Sequence, residues 1–418
     1  MNPSAQGMRP RLRQGVVEFP VHHMRGGTST GLVIWERIAP ADRALREELL
    51  RHLMGLPLSG TRPGNRQITG LGRGAPTSNK VFFAEMENGP DGVRLTSTLA
   101  QLAAEKSAID WSVNCGNMSA ALPAWALEMG LLPYPAGGGA VEVPIFNTNT
   151  AVTTDARMRF DANGVAESAE IPGVDGAFPA VDLFMRDPVG AKTGKLLPTG
   201  HVVDEIGGRS VSCIDVAVPM VIMRAADFGK TAHETVDALE ADADFMAALR
   251  ATWIPAGLRM GLRNRAGVLL TEAEIAASET IPKACIVGAP AGAGHIAVRY
   301  FTPQAGHRSM AVSGGCCLGA AALIPGSVAH QVARGLAAPG AAFSEIGVAI
   351  ENPAGILDAA IEAKLDGNGL AVRKAAYRRS AQLLLAGYVP LYRASPALRA
   401  VLLDGAGLDG AGAALAAD

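Results

Sequence analysis

Apolar residues fall along this chain in short runs, at 16–21, 32–35, 81–83, 141–146 and 211–218, separated throughout by glycine and proline. Short apolar runs bounded by turn residues predict β-strands. Helical stretches are fewer, at 41–54, 120–129, 231–251, 317–323 and 374–385. They do not alternate regularly with the strands, as a doubly wound sheet would require. An α+β architecture, with strands wrapped around a few helices, is therefore expected.

A chain of 418 residues exceeds one ordinary core, and its 49% hydrophobic content can fill two. Between 186 and 200 the composition turns to Pro, Gly and Lys with little apolar content, which places the expected boundary there. This gives an N-terminal domain at 15–195, with 376–395 as a candidate completing segment, and a C-terminal domain at 200–375. Residues 404–418 are dominated by Gly and Ala, carry little side-chain mass to bury, and are expected to form a flexible tail.

Charge excludes some functions. Lys and Arg number 37 against 39 acidic residues, a formal net charge of -2, and aromatics make up 5%. Neither favours a nucleic-acid surface. The apolar runs end well short of a membrane span, and no apolar signal core precedes Arg13, so a soluble, cytoplasmic protein is expected. Five cysteines, two of them adjacent, with no CxxC or HExxH pattern, give neither a disulfide framework nor a metal site. Cys213 and Cys285 lie in apolar strand-like runs and read as core residues.

The remaining cysteines carry candidate chemistry. Asn114-Cys115-Gly116-Asn117-Met118-Ser119 places a thiol between small residues and amides where an Ala-rich helix is expected to begin. The unpaired N–H groups of a helix start favour a thiolate and a bound carboxylate alike. A near-echo follows at Ser313-Gly314-Gly315-Cys316-Cys317, where Cys316 stands seven residues before Leu323 as Cys115 stands seven before Leu122. Two similar halves would produce this. A third motif, Gly70-Leu71-Gly72 through Ser78-Asn79-Lys80, ends a Gly/Ser-rich loop in a lysine entering an apolar strand. A lysine partly desolvated at such a junction can act as a general base.

Several rival motifs yield less. Gly27-Thr28-Ser29-Thr30-Gly31 matches the GxSxG pattern of serine hydrolases, but Ser29 follows one strand and precedes β-like residues rather than a helix. Met24-Arg25-Gly26-Gly27-Thr28-Ser29 reads better as a turn that cradles a carboxylate, with Arg25 as a bidentate partner. Gly190-Ala191-Lys192-Thr193-Gly194-Lys195 lacks the first glycine of a phosphate loop, because Val189 stands there. His307-Arg308 offers positive charge, and Arg62, Arg66 and Arg73 flank the lysine loop.

Together these segments, with Leu197-Pro198-Thr199-Gly200 and Leu323-Ile324-Pro325-Gly326, resemble the PrpF family of isomerases, whose fold is similar to that of diaminopimelate epimerase. The resemblance covers roughly residues 15–390 in the family's order. It implies two similar diaminopimelate epimerase-like domains, each a curved sheet wrapped around a central helix, with the active site in the interdomain cleft and no metal or organic cofactor. It also implies proton movement on a small unsaturated di- or tricarboxylate, with the family's lysine at Lys80 and its cysteine at Cys115.

A second-half cysteine corresponds to Cys316 by epimerase spacing and to Cys317 by alignment with cysteine-containing relatives. The expected substrate contacts are Arg25, Gly27, Thr28, Ser29, Ser78, Gly116, Asn117, Met118, Ser119, His307, Ser313, Gly314 and Gly315. Residues 194–244 more closely resemble the 4-oxalomesaconate tautomerases, which implies that substrate, whereas Arg259-Met260-Gly261-Leu262 is similar to the 2-methylaconitate enzymes. Other aconitate- or itaconate-type substrates, a carboxylate-binding accessory protein and a proline-type epimerase with two thiols are the alternatives. The expected partner is the small-molecule substrate alone, with a homodimer as a candidate assembly.

Overall fold

The computed structural model describes residues 8–404 apart from 91, 265 and 279, so the tail expected at 404–418 lies, beyond Asp404, outside the described residues. The chain divides into two compact units. The first holds the described residues up to 170, together with 176–181 and those from 379 onward, and the second holds 171–175 and 182–378.

In the first unit Val16–Gly26 pairs antiparallel with Ser29–Trp35, which lies parallel to Lys80–Gly89. Lys80–Gly89 is antiparallel to Gly92–Leu102, which is parallel to Gly139–Asn147, itself antiparallel to Val152–Phe160. In the second unit Arg209–Val216 is antiparallel to Val218–Arg224, which is parallel to Lys283–Gly288. Lys283–Gly288 is antiparallel to Ile296–Thr302, which is parallel to Ser344–Asn352, itself antiparallel to Gly355–Asp366. The succession of pairings is the same in both, which is the repeat that the two cysteine motifs suggested.

Parallel neighbours require crossovers, and each unit fills them with helices. The first crossover carries Arg43–Met54 in one unit and Ala243–Arg259 in the other, and the second carries Gly116–Ser119 with Ala121–Glu128, or Val312–Ala322. Val312–Ala322 packs against the strands at 209–216, 218–224, 344–352 and 355–366, while Ala121–Glu128 packs against Val16–Gly26 and Val152–Phe160. Each unit thus wraps sheet around a short central helix, the α+β arrangement expected. A second apolar layer forms where Leu49, Leu50, Leu53, Leu398 and Leu402 meet Val17, Phe19, Leu32 and Val81. Its counterpart joins Leu249, Trp253 and Ile275 to Val221, Ile286 and Phe301.

Local chemistry sets the helix ends. Asp42 accepts from Leu45 N at 2.9 Å, and Gly55 (φ 71°) closes the other end of Arg43–Met54. The helix expected at 231–251 is two, Val236–Ala241 and Ala243–Arg259, because Asp242 stops the first and caps the second through Phe245 N at 2.9 Å. The run at 211–218 spans two strands joined at Ala217 (φ 62°).

Two expectations change. Residues 374–385 are strand, not helix, inside Gly369–Pro390. Their Ala, Arg, Gln and Leu content favours a helix, but the ladders Ala375–Ile361, Tyr377–Ala359, Ala381–Gly26 and Leu383–Met24 override that preference. Residues 186–200 lie within the second unit, so the main passage between units comes earlier, after residue 181. The segment is folded around buried Asp215, whose Oδ2 accepts from Lys192 N, Thr193 N and Thr193 Oγ1 at 2.9, 2.8 and 2.9 Å. The loop that resembled a phosphate cradle is filled by the protein's own carboxylate.

Candidate active site

The site grows from the hairpin turn between Val16–Gly26 and Ser29–Trp35. Gly27 adopts a positive φ of 53°. A side chain on Gly26 would reach to 2.6 Å from Asn117 O and 2.9 Å from Met118 Cα, so the two glycines let the turn seat directly on the backbone at Gly116–Ser119. Arg25 fixes the turn from below, donating from Nη1 to Gly27 O at 2.9 Å and to Ser380 O and Oγ at 3.2 Å. Its guanidinium lies 4.6 Å from the centre of the Phe178 ring, and burial lowers its pKa. Arg25 thus braces the turn through Nη1, while its Nη2 is buried without a hydrogen-bond partner.

Cys115 is half-buried and N-caps the four-residue helix Gly116–Ser119, its Sγ receiving Met118 N–H at 3.4 Å. Asn114 Oδ1 accepts from Cys115 N at 2.7 Å, and Ser119 Oγ donates to Cys115 O at 2.9 Å, so the cysteine backbone is held from both sides. Ser29 Oγ lies 3.9 Å from Cys115 Sγ. Asn117 Nδ2 donates to Thr28 Oγ1 at 3.2 Å, and Arg379 Nε donates to Asn117 Oδ1 at 2.8 Å. Arg379, only 7% exposed, had no signal in the sequence, because it stands 262 residues from Asn117.

Lys80 opens Lys80–Gly89 and is 7% exposed, with Nζ donating to Pro76 O. Gln101 Nε2 donates to the same oxygen at 3.1 Å and to Asn79 O at 3.0 Å, bracing the end of the loop. Ser78 Oγ donates to Ala75 O of the same loop at 3.1 Å. The glycines of the lysine loop serve packing, since a side chain on Gly70 would lie 2.1 Å from Gly55 N. Arg62, Arg66 and Arg73 are all exposed, and Arg73 joins burial in lowering the pKa of His23.

The strand Ser29–Trp35 links the parts. Alternate residues of a strand share a face. Ser29 on that face meets Cys115, while a side chain at Gly31 would lie 3.1 Å from Lys80 Cβ. Ser29 itself starts this strand rather than a helix, which removes the nucleophile-elbow geometry of a serine hydrolase.

The second-unit candidates are placed differently. Val312–Ala322 begins four residues before Cys316, so Cys316 and Cys317 stand in its second turn rather than at its start. Both are 0% exposed. Cys317 Sγ donates to Ile214 O at 3.6 Å, and burial pushes its pKa far above the usual thiol range. Gly314 and Gly315 give close approach, since side chains there would strike the Tyr300 ring at 2.6 Å and Leu357 at 2.4 Å. Ser313, in the first turn, is half-buried.

His307 stacks edge-on to Tyr300, and burial lowers its pKa, which disfavours the positive charge expected of it. Arg308 is exposed and paired with Asp237. Cys213 and Cys285 are fully buried, with the Cys213 thiol pushed up to about 12 by burial. Among the described residues no group of three His, Cys, Asp or Glu is arranged to hold a metal ion, and no helix is long and apolar enough to cross a membrane.

Comparison with known proteins adds the class. The chain is 33% identical over 382 residues to the (4E)-oxalomesaconate Delta-isomerase of Novosphingobium sp. (strain KA1), covering 91% of this chain and 99% of that one. It is 32% identical over 382 residues to the 4-oxalomesaconate tautomerase of Pseudomonas putida, covering 91% and 98%. The crystal structure of a methylitaconate-delta-isomerase superposes with a TM-score of 0.74 at 28% identity, over 92% of this chain and 97% of that one. The protein is an enzyme, an isomerase. The profile of the family described as PrpF protein matches residues 16–392, and the chain belongs to that family.

Proposed function

We propose that the chain moves an allylic proton on a small unsaturated di- or tricarboxylate, with 4-oxalomesaconate as the substrate, and needs no cofactor to do so. The observation that carries this reading is the single strand face that brings Ser29 to Cys115 and Gly31 to Lys80. Lys80 and Cys115 between them take the allylic proton and return one at the other end of the three-carbon system, so the double bond shifts while atoms and charge balance. The hydroxyls of Thr28 and Ser29 and the amide of Asn117 supply neutral donors for the carboxylates and for the dienolate charge.

Cys316 and Cys317 have no proton-transfer part in this mechanism. Both are 0% exposed, and burial raises the pKa of Cys317, which makes that thiol a poor acid-base at neutral pH and weighs against a two-thiol, proline-type epimerisation. The two relatives named for oxalomesaconate favour that substrate over methylitaconate.

The test is proton NMR in deuterium oxide with 4-oxalomesaconate, 2-methylaconitate and trans-aconitate, run on the protein and on Lys80→Met and Cys115→Ala. Double-bond movement with deuterium uptake, fastest for 4-oxalomesaconate and lost in both variants, is the expected result. Exchange with none of the three acids, or turnover surviving Lys80→Met, overturns the reading.

A further inference from the structure

Hydrogen bonds at Asn117 have a direction that the donor and acceptor chemistry fixes. A guanidinium can only donate, so the Asn117 atom facing Arg379 Nε at 2.8 Å must be the carbonyl oxygen. The amide nitrogen then faces Thr28 Oγ1 at 3.2 Å and donates to it. A hydroxyl that accepts from an amide keeps its own proton for another partner, and Thr28 is exposed. Gly27 seals the stack. A side chain there would lie 2.6 Å from Asn117 Oδ1 and 3.1 Å from Arg379 Cδ, so the turn packs directly against the amide.

We propose that Arg379, Asn117 and Thr28 form a directed relay in which Arg379, a positioning residue, locks the Asn117 amide so that the Thr28 hydroxyl proton is presented to a substrate carboxylate. The positive charge of Arg379 polarises the amide, and the amide polarises the hydroxyl, which strengthens the last donor without placing a cation against the substrate. The inference rests on the proposal that the substrate is a carboxylate. It goes further by naming Arg379 as the distant residue that orients one of the carboxylate's donors.

The relay is tested by calorimetric binding of tricarballylate, a saturated tricarboxylate that cannot be isomerised, to the full chain and to Thr28→Val, Thr28→Ser, Arg379→Gln, Arg379→Lys and the Thr28→Val/Arg379→Gln double variant. Loss of one charge-polarised hydrogen bond should weaken binding roughly tenfold in Thr28→Val and in Arg379→Gln, and the double variant should be no weaker than either single. Thr28→Ser should bind like the parent, and Arg379→Lys should recover part of the loss.

Additive losses in the double variant, unchanged binding in Thr28→Val, or no binding of tricarballylate by the parent overturns the relay. If Arg379→Gln fails to fold, Arg379→Lys, which keeps a charged donor, tests the orienting residue, and the exposed Thr28 is tested by its own variants; parent-like binding in Thr28→Val still overturns the relay. Turnover of 4-oxalomesaconate by the parent, measured alongside, separates the two ideas. Absent turnover with the binding pattern intact overturns the substrate and leaves the relay standing.

Discussion

Gly31 and Lys80 meet backbone to backbone, such that a methyl group on Gly31 would lie 2.3 Å from the Lys80 carbonyl oxygen. Neither atom belongs to a flexible side chain, so the conflict can be relieved only by separating Ser29–Trp35 from Lys80–Gly89. Gly31→Ala should therefore lower stability by about 2 kcal/mol, in the range for overpacking a tight interior. It should also cut turnover more than Ala substitution at Gly347, whose added Cβ meets nothing. Urea unfolding and initial rates on the two variants check this.

Cys316 and Cys317 fill core space in a Gly/Ala-rich helix. Cys316→Ala and Cys317→Ala are expected to cost about 1 kcal/mol each in urea unfolding, because a small buried atom is lost. kcat should stay within about twofold of the parent. A fall in kcat matching that of Cys115→Ala would assign one of them to the chemistry.

Asp215 is fully buried and holds the 192–193 turn through three donors. Asp215→Ala leaves those donors without their charged acceptor and should lose about 3 kcal/mol. Asp215→Asn retains an oxygen that can accept, and should lose less. Thermal melts of both variants, with limited trypsin cleavage at Lys192 and Lys195 as a local probe, test the order.

Acid should destabilise the fold through its buried histidines. Burial lowers the pKa of His22 to about 4, and Trp125 Nε1 donates to its Nδ1 at 3.3 Å. The unfolded chain takes up this proton near pH 6.5, whereas the folded chain resists until about pH 4. Stability is thus complete above pH 6.5 and falls as pH drops toward 4, by about 3 kcal/mol for this group. His23, His52 and His307 are shifted in the same direction. Urea midpoints at pH 7.5 and 4.5 should differ accordingly, and His22→Gln should shrink the difference.

Local motifs carried much of this in the sequence. Gly26 and Gly27 announced a turn, and Asn114 to Ser119 announced a helix start beside a thiol. The structure brings Thr28, Ser29, Cys115 and Asn117 of those two motifs together. What stayed hidden depends on partners far along the chain. Residues 374–385 carry helix-forming side chains, and only the strands beside them decide their conformation. Arg379 follows from that error, since a residue assigned to a separate helix gives no reason to expect contact with Asn117. The helix start near Cys316 was misplaced because Gly314 and Gly315 read as a turn, whereas they are helical residues kept small by Tyr300 and Leu357.

The order of segments along the chain also constrains how the protein is made. The second unit is drawn mainly from the continuous stretch 182–378, whereas the first depends on residues from 379 onward, which pair with Val16–Gly26. During synthesis from the N-terminus, the first unit emerges early yet lacks a strand of its sheet, leaving an open edge and no Arg379 behind Asn117. The unit encoded second can therefore finish folding first. Asn117 gains its Arg379 partner only after the whole of the stretch 182–378 has been made.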